Sequence, residues 1–224
     1  MTTRAEKLVA LRDFADLQTG KLNESAFTYE NTLYDKAVAL RSLNRRIAKC
    51  DLCEELNIKR FTDSAPAWGD PNARVFFIGQ SLHKPGIISG LPFILGSGYL
   101  LDAALRLSGL LRKDVFITNT VHCHPPGNRA SEDTEKQNCL SYLAEEISIV
   151  KPKLIVALGN DAKWAVNALA IKSSKECRLL CVKHPASFSY VAPERRVEWV
   201  LKLSKEIDKV YKVPLASKTH REDV

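Results

Sequence analysis

Four short apolar runs, separated by longer stretches of helical periodicity, constrain the fold of this chain more than any other feature. Near-continuous apolar runs are typical of strands that are buried on both faces of a parallel sheet. The runs cover residues 74–79, 114–119, 153–159 and 178–183. Because strands and helices alternate, the sequence predicts an α/β fold, a three-layer sandwich with a central four-stranded parallel sheet.

Helical stretches lie between and around these runs. They cover residues 98–109, 134–150 and 160–170, and a last helix follows Pro193, a residue type common at helix starts. Two N-terminal helices are also predicted. The first places Leu8, Leu11, Phe14 and Leu17 on one face, and the second covers residues 31–48. We therefore divide the chain into a helical extension (1–47), an α/β domain (48–213) and a polar tail (214–224).

Composition excludes several classes of protein. Hydrophobic residues make up 45% of the 224 residues, which is too many for wholesale disorder. The net charge of +7 is compatible with a nucleic-acid partner and equally with a merely basic surface. No run approaches the roughly 18 apolar residues of a membrane span, and residues 1–20 lack the apolar stretch of a signal peptide. We expect a cytoplasmic monomer with reduced cysteines and no membrane partner.

Four of the six cysteines form two pairs. Two residues separate Cys50 from Cys53, and fifteen separate Cys123 from Cys139. Four thiolates from two distant segments can bind zinc or hold an iron–sulfur cluster, and the histidines at positions 122 and 124 leave a mixed zinc site open. The alternative is that the cysteines are ordinary small buried residues. Of the other two, we interpret Cys181 as core packing and Cys177 as incidental.

Polar residues follow the strands at their carboxyl ends, where open α/β sheets bind ligands. This rule places Gly79, Gln80, Asn119 and His184 at one edge of the sheet. Each has a structural alternative: Asn119 could form an Asx turn, and His184 could be a loop histidine satisfied by the backbone. Phe93, which follows a Gly-Leu-Pro turn, could simply fill the core.

Taken together, the motifs carry a family resemblance. They are Phe76-Phe-Ile-Gly-Gln80, Gly90-Leu-Pro-Phe93, Thr118-Asn-Thr-Val-His-Cys-His-Pro-Pro-Gly-Asn-Arg129, His184-Pro-Ala-Ser187 and the paired cysteines. Over residues 48–211 the chain resembles the uracil-DNA glycosylase superfamily, specifically its iron–sulfur family 4. The Pro-Pro-Gly-Asn-Arg run after a cysteine is the most specific landmark. The resemblance implies an enzyme that flips a base out of DNA and hydrolyses its N-glycosidic bond, leaving an abasic site.

The resemblance also implies roles for individual residues. It favours a 4Fe–4S cluster over zinc at Cys50, Cys53, Cys123 and Cys139. Phe93 stacks on the flipped base, Asn119 reads the base edge, and His184 donates a hydrogen bond to the leaving base. Gln80 joins Asn119 and His184 as a catalytic candidate. The base-binding set is Gly79, Gln80, Ser81, Phe93, Asn119 and His184.

The loop after His184 resembles the wedge that superfamily members insert into the duplex. Phe188 and Tyr190 occupy the wedge positions, although Phe188 could equally hold the loop against the core. Basic and polar residues near the pocket would meet DNA phosphates. The predicted DNA contacts are His83, Lys84, Arg129, Lys183, Ser187, Phe188, Tyr190 and Arg195.

The first motif departs from the family pattern. Family 4 has Gly-Glu-Ala-Pro-Gly, whereas this chain has Gly79-Gln-Ser-Leu-His-Lys-Pro-Gly86. The neutral amide of Gln80 can orient a water molecule but cannot take its proton, so His83 becomes a second candidate for that task. Residues 128–136 lack the histidine of covalently trapping relatives, so we do not favour trapping.

Three hypotheses follow. The first is a glycosylase for uracil or another deaminated base in repair. The second is a glycosylase for a larger modified base, such as a phage base, in defence. The third is a non-catalytic DNA-binding protein with a degenerate site.

Overall fold

A five-stranded sheet forms the centre of the computed structural model, which describes residues 24–211. Its strands are β1 (Trp68–Gly69), β2 (Val75–Ser81), β3 (Phe116–Val121), β4 (Leu154–Leu158) and β5 (Arg178–Val182). Their order in the sheet is β1-β3-β2-β4-β5. The four apolar runs are confirmed as the parallel strands β2 to β5. The predicted count of four was one short, because the antiparallel edge strand β1 has two residues and therefore no apolar periodicity.

Helices cover both faces of the sheet, so the three-layer sandwich is confirmed. They are α1 (Glu24–Ala48), α2 (Lys84–Ser89), α3 (Gly98–Leu107), α4 (Asp133–Val150), α5 (Asn160–Ala168) and α6 (Pro193–Tyr211). Alternate strand residues face opposite layers. Phe77 and Val156 pack in a core with α3 and α6, whereas Phe76 and Ile155 pack in a second core with α4 and α5.

The N-terminal region is described only from α1 onward. The predicted helix with Leu8 to Leu17 and the polar tail 214–224 lie outside the described residues. Helix α1 begins seven residues before its predicted start and contributes Leu40 to the second core. Its Lys36 ammonium donates to the carbonyl of Val150 (3.0 Å), and Arg46 pairs with Glu145. Part of its basic face therefore holds α1 against α4.

The interpretation of the two remaining cysteines was wrong. Cys181 is exposed, whereas Cys177 is half-buried and packs against the second core. The reason is that β5 is an edge strand whose residues are only partly covered, so an apolar run there does not imply burial on both faces.

Within residues 24–211, no helix is long and apolar enough to cross a membrane.

Candidate active site

A pocket of about 260 Å³ opens at the carboxyl ends of the parallel strands. Its lining includes Gln80 and Ser81 from the end of β2, Asn119 from β3 and His184 just after β5. Phe93 completes it from the loop before α3. The structure thus brings together the side chains that the sequence places at one sheet edge.

Asn119 lies in the pocket with its amide free. The residue is only 6% exposed, yet within residues 24–211 its side chain has no hydrogen-bond partner, so the Asx turn is not formed. A Cβ atom at Gly79 would lie 2.3 Å from Asn119 Oδ1 and 2.6 Å from ring carbons of Phe93. Glycine is therefore required where these two side chains converge. The Thr120 hydroxyl donates to the Gly79 carbonyl (2.8 Å) and holds the strand ends together.

His184 is held in one orientation by its own loop. Its Nδ1 accepts the backbone N–H of Ala186 (3.2 Å), so the neutral ring carries its proton on Nε2. Burial lowers the pKa of His184 below its ordinary value, which keeps the ring neutral at pH 7. A Cβ atom at Gly159 would lie 2.9 Å from His184 Cβ, so a glycine is needed behind the ring. The backbone uses only one ring nitrogen, and the other remains available as a donor.

Phe93 is fixed by contacts that the sequence does not reveal. Its φ of +56° lies in the left-handed region, which is unfavourable for a phenylalanine. The Arg112 guanidinium donates to the carbonyls of Phe93 (2.7 Å) and Pro92 (2.9 Å) and pairs with Asp102 (2.5 Å). The Phe93 ring stacks near His184, with centroids 5.5 Å apart. Arg112 therefore fixes the loop that places this ring in the pocket.

Comparison with known proteins identifies the family. The sequence profile of the uracil DNA glycosylase superfamily matches residues 66–208, which include Phe93, Asn119 and His184. The chain belongs to this superfamily. The resemblance inferred from the motifs is confirmed.

Curated relatives place this glycosylase-superfamily member in the type-4 branch. It is 38% identical over 120 residues to the type-4 uracil-DNA glycosylase of Pyrobaculum aerophilum. This alignment covers 54% of this chain and 60% of that protein. It is 35% identical over 130 residues to the type-4 enzyme of Thermotoga maritima, covering 58% and 67%. The crystal structure of SMUG2 from Pedobacter heparinus matches with a TM-score of 0.50 at 13% identity, over 62% of this chain and 76% of that one. That structural match supports the fold alone.

The two aromatic residues of the loop after His184, Phe188 and Tyr190, differ in their exposure to solvent. Phe188 is half-buried, with its ring 6.0 Å from that of Trp199, and it packs against the first core. Tyr190 is fully exposed. Arg196 donates to the carbonyl of Ser189 (2.9 Å) and thereby holds the loop. Of these two aromatic side chains, Tyr190 is therefore the one left in solvent, and Phe188 is held against the core.

The remaining predicted DNA contacts differ in how available they are. Exposed side chains are found at His83, Lys84, Lys183, Ser187 and Arg195.

Arg129 is instead occupied by carboxylates. Its guanidinium donates to both oxygens of Glu135 (2.7 and 3.0 Å) and lies 3.4 Å from Glu132. Arg129 therefore holds the start of α4 through Glu135.

The four paired cysteines meet at one end of the sheet. Cys53, Cys123 and Cys139 share a small buried cluster. Burial, together with the neighbouring cysteines, raises the pKa of both Cys53 and Cys123. Asn138 donates to the Cys53 sulfur (3.3 Å). A hydrogen bond to Cys50 and burial raise the pKa of Tyr142 to about 12.

The thiols of the four paired cysteines are a donor set that fits a thiolate-bound metal cluster. Of the two histidines beside Cys123, His124 bonds to the Leu82 carbonyl (2.8 Å), whereas His122 pairs with Glu146 (2.9 Å) and also lies against Cys139. Across residues 24–211, no three His, Cys, Asp or Glu side chains are arranged to hold a single metal ion. Four cysteines with nearby hydrogen-bond donors are the ligand chemistry of an iron–sulfur cluster.

Proposed function

We propose that this chain is a DNA glycosylase that releases uracil from DNA and leaves an abasic site. One observation carries the proposal: the free Asn119 amide and the His184 ring, held with its proton on Nε2, line one pocket with the Phe93 ring. The type-4 relatives, named uracil-DNA glycosylases, support it.

The base edge is recognised by Asn119. An amide offers one acceptor and two donors, which match the N–H and the carbonyl of a uracil imide edge. Because Asn119 is almost fully buried, a base without that pattern would leave its amide unsatisfied, at a cost of about 1–3 kcal/mol. The Phe93 ring provides a flat surface on which the flipped base stacks.

Bond cleavage depends on His184. As the N-glycosidic bond breaks, the sugar gains oxocarbenium character and the base leaves as an anion. The Nε2–H of the neutral His184 ring donates to the developing charge on the base, and its orientation is set in advance by Ala186.

Water then attacks the sugar cation, and two side chains can orient it. Gln80 lines the pocket and accepts a hydrogen bond from water without taking its proton. Partial burial and the nearby His124 lower the pKa of His83, so this ring is neutral at pH 7 and can accept the proton. A strong base is not needed, because the cation is highly reactive once the base has left.

A 4Fe–4S cluster bound by Cys50, Cys53, Cys123 and Cys139 belongs to the same proposal. When bound, such a cluster supplies a structural cross-link between the two segments and no chemistry at the base. The cysteine segments meet through a bridge between Ser64 and Cys123, which keeps the residues after Cys53 close to the end of β3.

A panel of substrates tests the proposed activity. Purified protein is incubated with matched oligonucleotides that contain uracil, hypoxanthine or a modified cytosine, and the abasic products are cleaved and counted. We expect release of uracil well above that of the modified cytosine, because cytosine has no ring N–H to donate to the Asn119 carbonyl. Hypoxanthine has an N–H beside a carbonyl, as uracil does, so its release reports whether the pocket admits a purine. Preferred release of the modified cytosine would support a different substrate. Binding without any release would support a non-catalytic protein.

Replacing Arg112 tests whether this residue acts by positioning Phe93 or takes part in bond cleavage. Arg112→Ala removes the donors that hold the Phe93 carbonyl, so we expect the KM for a uracil-containing oligonucleotide to rise about 10-fold or more, with a smaller effect on kcat. Arg106→Ala, on the exposed side of α3, is the matched control and should leave both values unchanged. Steady-state kinetics at several substrate concentrations measure the difference. Equal kinetics for both variants would exclude the positioning role.

A further inference from the structure

A second cavity lies beside the base pocket and has no assigned role. Its volume is about 570 Å³, and we name it the Phe61 groove. Its lining includes Arg60, Phe61, His83, Lys84, Ile88 and Asn128. His83 and Asn128 also line the base pocket, so the two cavities adjoin each other.

The composition of the groove combines positive charge with exposed apolar surface. Phe61 is 74% exposed and Ile88 is 86% exposed. Arg60 and Lys84 supply two cationic side chains, and no aspartate or glutamate is among the described residues that line the groove. Cations beside an exposed aromatic ring are the combination that binds single-stranded nucleic acid, through phosphates and stacked bases respectively.

The loop that carries Phe61 is held in shape by its own hydrogen bonds. The Asn57 side-chain amide donates to the carbonyl of Cys50 (2.9 Å). The Thr62 hydroxyl accepts the backbone N–H of Ile58 (2.9 Å), and the N–H of Phe61 donates to the carbonyl of the same Ile58 (3.0 Å). These hydrogen bonds fix the backbone of the loop that presents the Phe61 ring to solvent. A backbone ordered in advance loses little entropy when a ligand stacks on that ring.

We propose that the Phe61 groove binds the nucleotide next to the flipped one in a single strand of DNA. Its base stacks on Phe61, and its phosphate contacts Arg60 and Lys84. The inference rests on the proposed function in one respect, that the neighbouring pocket receives the flipped nucleotide. It adds a sequence-tolerant stacking site, because every base has a face that an aromatic ring can contact.

The test measures binding and needs no base release. The probe is a short single-stranded oligonucleotide with a tetrahydrofuran abasic analogue next to 2-aminopurine, whose fluorescence is quenched when it stacks. We expect Phe61→Ala to bind about 5-fold to 100-fold more weakly than the wild type and to lose the quenching. Phe61→Trp should retain both, and Tyr34→Ala, which removes another exposed aromatic ring, should behave as the wild type.

The role of the two cationic side chains, Arg60 and Lys84, is tested by the salt dependence of binding. For Arg60→Ala combined with Lys84→Ala, we expect the slope of log K against log salt to fall by about 0.7, since the two side chains neutralise one phosphate and each neutralised phosphate of a single strand contributes about 0.7. Unchanged affinity and quenching in Phe61→Ala would overturn the proposal, as would an unchanged salt slope in the double variant. Thermal unfolding confirms that the exposed substitutions leave the fold intact. A wild type that releases no uracil would contradict the proposed function and leave this binding test valid.

Discussion

Replacing Asn119 with alanine is expected to lower the rate of uracil release by about 10²–10³-fold. The substitution removes the amide that faces the base edge and leaves the fold in place, because Asn119 has no hydrogen-bond partner within residues 24–211. Single-turnover kinetics with a uracil-containing oligonucleotide measure the loss directly. The isosteric Asn119→Asp keeps the volume but turns an acceptor toward the uracil carbonyl, so it should be impaired at least as strongly.

The matched control for this prediction is Asn167→Ala. Asn167 is an exposed residue of α5 outside the pocket lining, so its replacement should leave the rate unchanged. If Asn119→Ala released uracil at the wild-type rate while unfolding at the wild-type temperature, the role of Asn119 in base recognition would be excluded.

Cys123→Ser is expected to remove the bound metal and destabilise the protein. Purified wild-type protein should carry about four irons per chain and absorb visible light, and the variant should carry far less. Because Cys123 is buried and, in the proposal, binds the cluster that links its segment to the one around Cys53, the free energy of unfolding should fall by about 4 kcal/mol or more. Metal analysis and thermal unfolding measure the two effects.

Cys177→Ser is the control for the metal site. Cys177 is half-buried and packs with β5, apart from the four paired cysteines, so its replacement should leave the iron content unchanged. Stoichiometric zinc without iron in the wild type would contradict the cluster assignment. Full iron content in Cys123→Ser would remove Cys123 from the ligand set.

The sequence predicts the sheet and the pocket from the same signal. Apolar runs identify buried strands, and the carboxyl ends of parallel strands must meet at one edge, so Asn119 and His184 could be placed together without a structure. The search for apolar runs does not detect β1, because a strand of two residues is too short to form one. The apolar run of β5 also led to the wrong prediction that Cys181 is buried, because an edge strand is covered on only part of its surface.

Long-range contacts explain what the sequence could not predict. Arg112 reaches Phe93 across 19 positions, and no local pattern marks either residue as the other's partner. Arg129 belongs to a family motif, yet its pairing with Glu135 becomes visible only when α4 is built. Phe61 has no periodic apolar neighbours to mark it, and its exposure results from the hydrogen bonds that fold its loop.

The most direct measurement is a crystal structure of the protein bound to a strand that contains 2′-fluoro-2′-deoxyuridine. The fluorine destabilises the sugar cation, so the substrate stays intact. We predict a flipped uracil stacked on Phe93, with its imide edge within hydrogen-bond distance of the Asn119 amide and a base carbonyl facing His184 Nε2. A strand whose uracil remains outside this pocket, or a base that enters without contacting Asn119, would contradict the account.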